Sequence, residues 1–144
     1  MEKITNLKND PLLSEIYKDA ISKSEEVKSL SIVDCLVDFA EDVRKKKVEG
    51  LLQEIHKYPR DVVLFDVTIQ GLEYVVAGVS DEEVLQFLTE DYWQSGEERN
   101  KAFERYISIL GVFMLKEEYS PQMVQQVVLQ EFIIRNQFFI GSEV

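Results

Sequence analysis

One cysteine and one histidine bound what the side chains of this 144-residue chain can ligate or attack. Structural zinc and cysteine-held iron–sulfur sites need several such ligands, so neither is expected. Cys35 and His56 lie 21 positions apart. On one straight helix that separation is roughly 30 Å, so a thiolate–imidazole pair requires a break between them. The apolar stretch around Cys35 reads instead as packing for a small thiol. Asp81, Glu82 and Glu83 are suited to acid–base work by residue type. Behind Ser80, however, they read as the acidic first turn of a capped helix. No glycine-rich phosphate loop is present, and no acidic run carries the glycine of a calcium loop. The expectation is a non-enzymatic chain with no catalytic residue, no cofactor and no metal.

What remains is electrostatic. The formal net charge is −11, which argues against nucleic acid, whose phosphates it would repel. The distribution is uneven. Arg44-Lys45-Lys46-Lys47 forms a basic knot, followed by Lys57 and Arg60. Residues 61–98 then hold ten acidic residues, among them Asp81, Glu82, Glu90 and Asp91, and no lysine or arginine. Two readings stand: a solvated surface that keeps the protein apart from its neighbours, and a docking face for a partner of opposite sign.

The elements that carry these charges follow from period and punctuation. Hydrophobic residues are 45% and charged residues 30% of the chain, a globular balance. Residues 1–10 read as a polar leader and 11–144 as a single helical domain. Pro11 suits a first helical turn, followed by a stripe of Leu12, Leu13, Ile16, Ala20 and Ile21. Ser31 with Asp34 resembles a capping pair opening a long helix over 32–57, bent at Gly50 and ended by Tyr58-Pro59. Residues 61–77 are rich in β-branched residues, as a strand would be. Val62, Phe65, Ile69, Leu72 and Val76 nevertheless keep a helical period, so a buried helix stopped at Gly78 is expected. Ser80 with Glu83 caps the next helix. Glu97 and Glu98 begin another, and Ser120-Pro121 opens the last. The apolar run 107–115 is about half a membrane span, and Met1-Glu2-Lys3-Ile4 has no apolar region behind its charges. Neither membrane insertion nor a signal peptide is expected. The single cysteine fits a reducing compartment, read here as the cytoplasm. The fold class is all-α, a single-domain bundle of about five to six helices. Its tail, Phe138-Phe139-Ile140, either folds onto the core or forms a homodimer contact.

The helix holding the basic knot contains Lys47-Val48-Glu49-Gly50-Leu51-Leu52. This resembles the Arg-x-x-Gly-Leu-Leu element in the cytoplasmic domain of the flagellar motor stator A subunit. Tyr58-Pro59-Arg60, Gly71-Leu72, Val75-Val76, Gly78, the run Ser80 to Val84 and the acidic Glu90-Asp91 are similar to that family's helix, glycine turn and acidic capped helix. Glu97-Glu98-Arg99 and Tyr119-Ser120-Pro121-Gln122-Met123 resemble its approach to the membrane and the start of its third membrane helix. The likeness spans roughly residues 32–123 with gaps. It implies a soluble relative of the stator domain, without the four membrane helices and so without ion conduction. In the family an Arg and a following Glu engage the rotor. Here Lys47 stands in the Arg position, and Glu54 lies one place early. The expected function is a cytoplasmic protein-interaction module, associated with the flagellar motor or a related envelope motility complex. The alternative is a small helical homodimeric regulator unrelated to motility. Candidate partner contacts are Arg44, Lys45, Lys46, Lys47, Glu54, Asp81, Glu82, Glu90 and Asp91.

Overall fold

The apolar periods resolve into helices from end to end. The computed structural model describes residues 2–23, 25–96 and 101–142, with side chains between residues 3 and 137 of these. Among these residues there are seven α-helices and no strand. They are α1 (Glu2–Lys8), α2 (Pro11–Ile21), α3 (Ser29–Leu52), α4 (Val63–Val76), α5 (Asp81–Gln94), α6 (Ala102–Lys116) and α7 (Pro121–Ser142), with a 3-10 turn at Ile55–Lys57. The expected five to six helices become seven because the segment taken for a polar leader contains α1. Seven residues are too few to display a helical period, yet Ile4 is buried and Leu7 packs against the core.

Helix α6 organises the rest. Every residue in it except Glu104 and Lys116 is buried, as expected of a helix apolar on all sides and enclosed by others. Its apolar run is therefore core. Among the described residues, no helix is long and apolar enough to cross a membrane. Helix α4 packs most extensively against α6. It runs parallel to it, since Leu64 meets Glu104 and Gly71 meets Val112. Helix α5 runs the other way, with Asp81 at Lys116 and Leu88 at Arg105. Helix α2 joins through Tyr17, whose ring lies tilted against that of Tyr106 at 4.9 Å. Helices α3 and α7 lie antiparallel: Arg135 reaches Glu25 just before α3, and Lys47 near its other end reaches Glu118 just before α7.

Local signals set most helix ends. Asp10 Oδ1 accepts from Leu12 N at 2.9 Å and Pro11 occupies the first turn of α2. Ser80 Oγ accepts from Glu83 N, and Ser120 Oγ from Met123 N. Residues 63–76 are helix, as the period indicated, and Gly78 follows in the left-handed region at φ 84°. There Val79 N donates to Tyr74 O and Gly78 N to Val75 O, the paired bonds of a Schellman end. Helix α6 ends identically, with Tyr119 N to Met114 O and Glu118 N to Leu115 O, but with Glu118 in the left-handed position at φ 55°.

Two starts come from distant residues. Neither α4 nor α6 has a capping side chain of its own. The Glu25 carboxylate accepts from Phe103 N at 3.0 Å and Glu104 N at 3.2 Å, closing α6. Glu104 in turn accepts from Leu64 N at 2.9 Å, closing α4. Burial pushes the Glu25 carboxyl above its usual range, against the pull of these amides and Arg135. The Ser31–Asp34 pair does not cap α3, which begins at Ser29 behind an uncapped Lys28.

The α4–α6 contact depends on Gly71, where an added Cβ would lie 2.5 Å from a Val112 methyl. A β-branched side chain inside a helix has one strongly preferred rotamer and cannot turn away. At Gly111 the nearest atom is the movable end of Leu36, at 2.8 Å. Gly71→Ala is therefore expected to cost about 1–3 kcal/mol by overpacking and Gly111→Ala distinctly less, as read by urea denaturation of both variants.

Candidate interaction surface

The basic knot sits at a break in α3. Lys47 adopts φ 63°, ψ 174° between two helical stretches, a region almost reserved for glycine that costs about 1–3 kcal/mol for other residues. The bend expected at Gly50 thus has its dihedral change at Lys47. Gly50 serves the bend in another way: a Cβ there would lie 2.4 Å from Lys46 Cβ, so the turned chain has room only for hydrogen. Val43 and Leu51, buried on either side, hold both halves of α3 in the core.

The break sorts the four cations. Lys46 Nζ reaches Glu54 at 3.0 Å across the bend, and Lys57 joins the same carboxylate at 3.2 Å. Hydrogen bonds from Lys46 and Lys57 hold the Glu54 carboxyl below its usual range, and Glu54 raises Lys46. Lys47 Nζ reaches Glu118 at 2.9 Å. The two non-glycine residues with positive φ among the described residues are therefore joined by one ion pair. Beside them lies a cleft of about 520 Å³ lined by Val48, Val75, Val76 and Lys116. Arg44 and Lys45 are exposed, with no partner among the described residues.

The acidic candidates are not gathered opposite this knot. Asp81 is held by Lys3 at 2.8 Å and by Lys116, while Lys3 also bonds Glu117, so these groups tie α1 to the start of α5 and the end of α6. Glu90 accepts from Gln86 at 3.0 Å and Asp91 from Gln70 at 3.0 Å. Asp91 also borders a polar cleft of about 560 Å³ with Arg60, Asp66, Gln70 and Arg105. Arg60 pairs with Asp66 at 3.0 Å. Glu82 stays exposed. Cys35 is half-buried, and burial, then Asp38, pushes its thiol up. His56 is exposed in the 3-10 turn. Glu97, Glu98 and Arg99, and the side chains of Phe138, Phe139 and Ile140, lie outside the described residues.

Sequence reading missed a buried polar group. Glu131, 2% exposed, accepts from Tyr106 Oη at 2.7 Å and from Lys8 Nζ at 2.7 Å. Burial, then Glu131, pushes the Tyr106 hydroxyl well above the phenol range, so it stays a donor. A signal existed: Val124, Val128, Glu131 and Arg135 are spaced on the buried stripe of α7, which places two charges in core positions. No family model, curated protein or solved structure matches the chain.

Relief of the backbone at residue 47 outweighs loss of an exposed ion pair worth about 0–1 kcal/mol. Lys47→Gly is expected to raise stability by about 1 kcal/mol in urea melts, and Lys47→Ala to give no gain.

The ends of the chain's acid–base range act on α1. Burial raises Asp81, but Lys116 and Lys3 outweigh it and hold the carboxyl below its ordinary 3.8. Asp81, then Glu117, hold Lys3 above its ordinary 10.5. The lowered carboxyl contributes stability above 3.8 that is lost as pH falls through its folded value. The raised amine contributes below 10.5 and loses it as pH rises through its folded value. Hydrogen exchange is expected to show α1 protection flat between about pH 5 and 9 and declining at both extremes. The change is modest, because these groups are partly solvated.

Proposed function

We propose that the chain is a single helical domain acting in the cytoplasm as a non-enzymatic protein-interaction module. It docks on an acidic surface of a partner protein through the ridge of Arg44 and Lys45. The observation that carries this reading is the strained backbone at Lys47, close to two exposed cations that have no partner among the described residues, in a chain of net charge −11. Strain held in place by surrounding packing marks functional segments more often than indifferent ones. The resemblance of residues 47–52 to the stator element supports a partner in the flagellar motor or a related envelope motility complex. Lys47 and Glu54, the contacts implied by that resemblance, pair within the chain. Partner binding through them would exchange Glu118 and Lys46 for groups on the partner.

Capture with the tagged full chain from motile cells is expected to recover motor or membrane components at low salt. Recovery should be lost near about 0.5 M salt, where charges are screened within a few ångströms. The pair Arg44→Glu and Lys45→Glu should abolish recovery without changing the melting temperature. Unchanged recovery and motility in that variant would sink the reading. A second reading, a homodimer through α7, is favoured by Leu129 and Ile133, which are 38% and 52% exposed and four residues apart on one face. Sedimentation of the wild type and of Ile133→Asp separates the two: a dimer lost on substitution supports this alternative, and a monomeric wild type removes it.

A further inference from the structure

Helix α1 occupies a groove that it does not fill. The groove runs between the start of α5, the end of α6 and the middle of α7. On one side of α1 a cleft of about 190 Å³ opens beside Asn6 and Leu7, against Leu85 and Phe113. On the other side a cleft of about 270 Å³ opens beside Thr5 and Lys8, against Val127 and Glu131. The floor is apolar, the rim at one end carries Asp81, Glu82 and Glu117, and the buried carboxylate of Glu131 lies beneath the other end of α1. Helix α1 meets this pattern with Ile4 buried, Leu7 half-buried, Lys3 on Asp81 and Glu117, and Lys8 on Glu131.

Helix α1 depends on such tertiary contacts to persist. Seven residues are far below the length at which a helix holds itself together in water. Asp10 caps α2 by itself, so α2 does not need α1 in order to start. If α1 leaves, Glu131 loses its cation while remaining bonded to Tyr106, and an acidic groove stands open.

We propose that this groove is a docking site for a basic amphipathic helix of a partner protein, with α1 as its built-in occupant. The partner helix carries apolar residues three apart, with cations one place before the first and four places after it, as Lys3, Ile4, Leu7 and Lys8 do. Bulkier side chains at the positions of Thr5 and Asn6 would enter the two clefts and displace α1. The proposal rests on the reading of the chain as an interaction module but uses neither Arg44 nor Lys45.

Two measurements test it on the full chain. Hydrogen exchange of the wild type should show α1 amides exchanging at least about a hundred-fold faster than those of α6, by local opening. Equal protection of α1 and α6 would overturn the proposal. The probe for binding is a labelled peptide with the sequence of residues 2–10, together with a version bearing leucine in place of Thr5 and Asn6. The leucine version should bind at least about ten-fold more tightly than the parent. Both should bind better to an Ile4→Asp chain that keeps its α2–α7 protection. Replacing both lysines of the peptide by glutamate should abolish binding. Binding that survives this charge reversal, or absence of binding to wild type and Ile4→Asp alike, overturns the groove and leaves the Arg44–Lys45 ridge standing. If Ile4→Asp fails to fold, the exchange ratio and the peptide series on the wild type still decide.

Discussion

The enclosure of α6 is the constraint from which the rest of the structure follows. A helix apolar on every side must be covered all round, and thirteen of its fifteen residues are buried. Full burial of a large apolar side chain is worth about 1.5–3 kcal/mol, so α6 supplies a large share of the driving force. It also dictates what its neighbours present. Helix α4 must offer a glycine at Val112, α3 a leucine end at Gly111, and α2 an aromatic face at Tyr106. Covering a cylinder takes more helices than covering one face, which is why even the seven-residue α1 finds a place.

Burying α6 to its ends leaves its first amide groups away from water, and they require partners. The chain answers with carboxylates from elsewhere: Glu25 on α6, then Glu104 of α6 on α4. Arg135 reaches the carbonyl of Glu25 and lies 4.9 Å over the Phe103 ring, so the same corner also anchors α7. Such bonds to charged groups are worth about 1.5–3 kcal/mol each when made and leave an expensive deficit when broken. They select one arrangement of helices, since the caps exist only when α4, α6 and the segment before α3 are in register.

This explains which features the sequence discloses. Pro11, Gly78, Ser80 and Ser120-Pro121 act within four residues of themselves, and each marks a helix end as read. The period of Val62 to Val76 overrides the β-branched composition of that stretch because the helix is buried against α6 and packing decides over propensity. Features that act at a distance were illegible. Ser31 and Asp34 have capping residue types, but α3 starts before them. Gly50 marked the bend, while the dihedral change fell on Lys47, whose conformation is fixed by packing at Val43 and Leu51 and by Glu118 across the chain. Glu131 and Arg135 could have been found by trusting the helical period over their charge.

The charge polarity visible in the sequence changes meaning once folded. A block of ten acidic residues with no cation inside it suggests a single acidic face. Instead Asp81 joins Lys3 and Lys116, Asp66 joins Arg60, and Asp91 accepts from Gln70. Exposed pairs of this kind contribute little individually, but they divide the block: Asp66, Asp81 and Asp91 are half-buried against partners, while Asp61, Glu73, Glu82, Glu83 and Glu90 stay exposed. The basic knot divides the other way. Lys46 and Lys47 pair with Glu54 and Glu118 at the exposed bend, while Arg44 and Lys45 have no partner among the described residues. In a chain that bears −11 overall, these two cations lie on the helical stretch that ends at the strained backbone of Lys47. A net charge of that size acts over the whole surface and does not by itself call for strain at one residue.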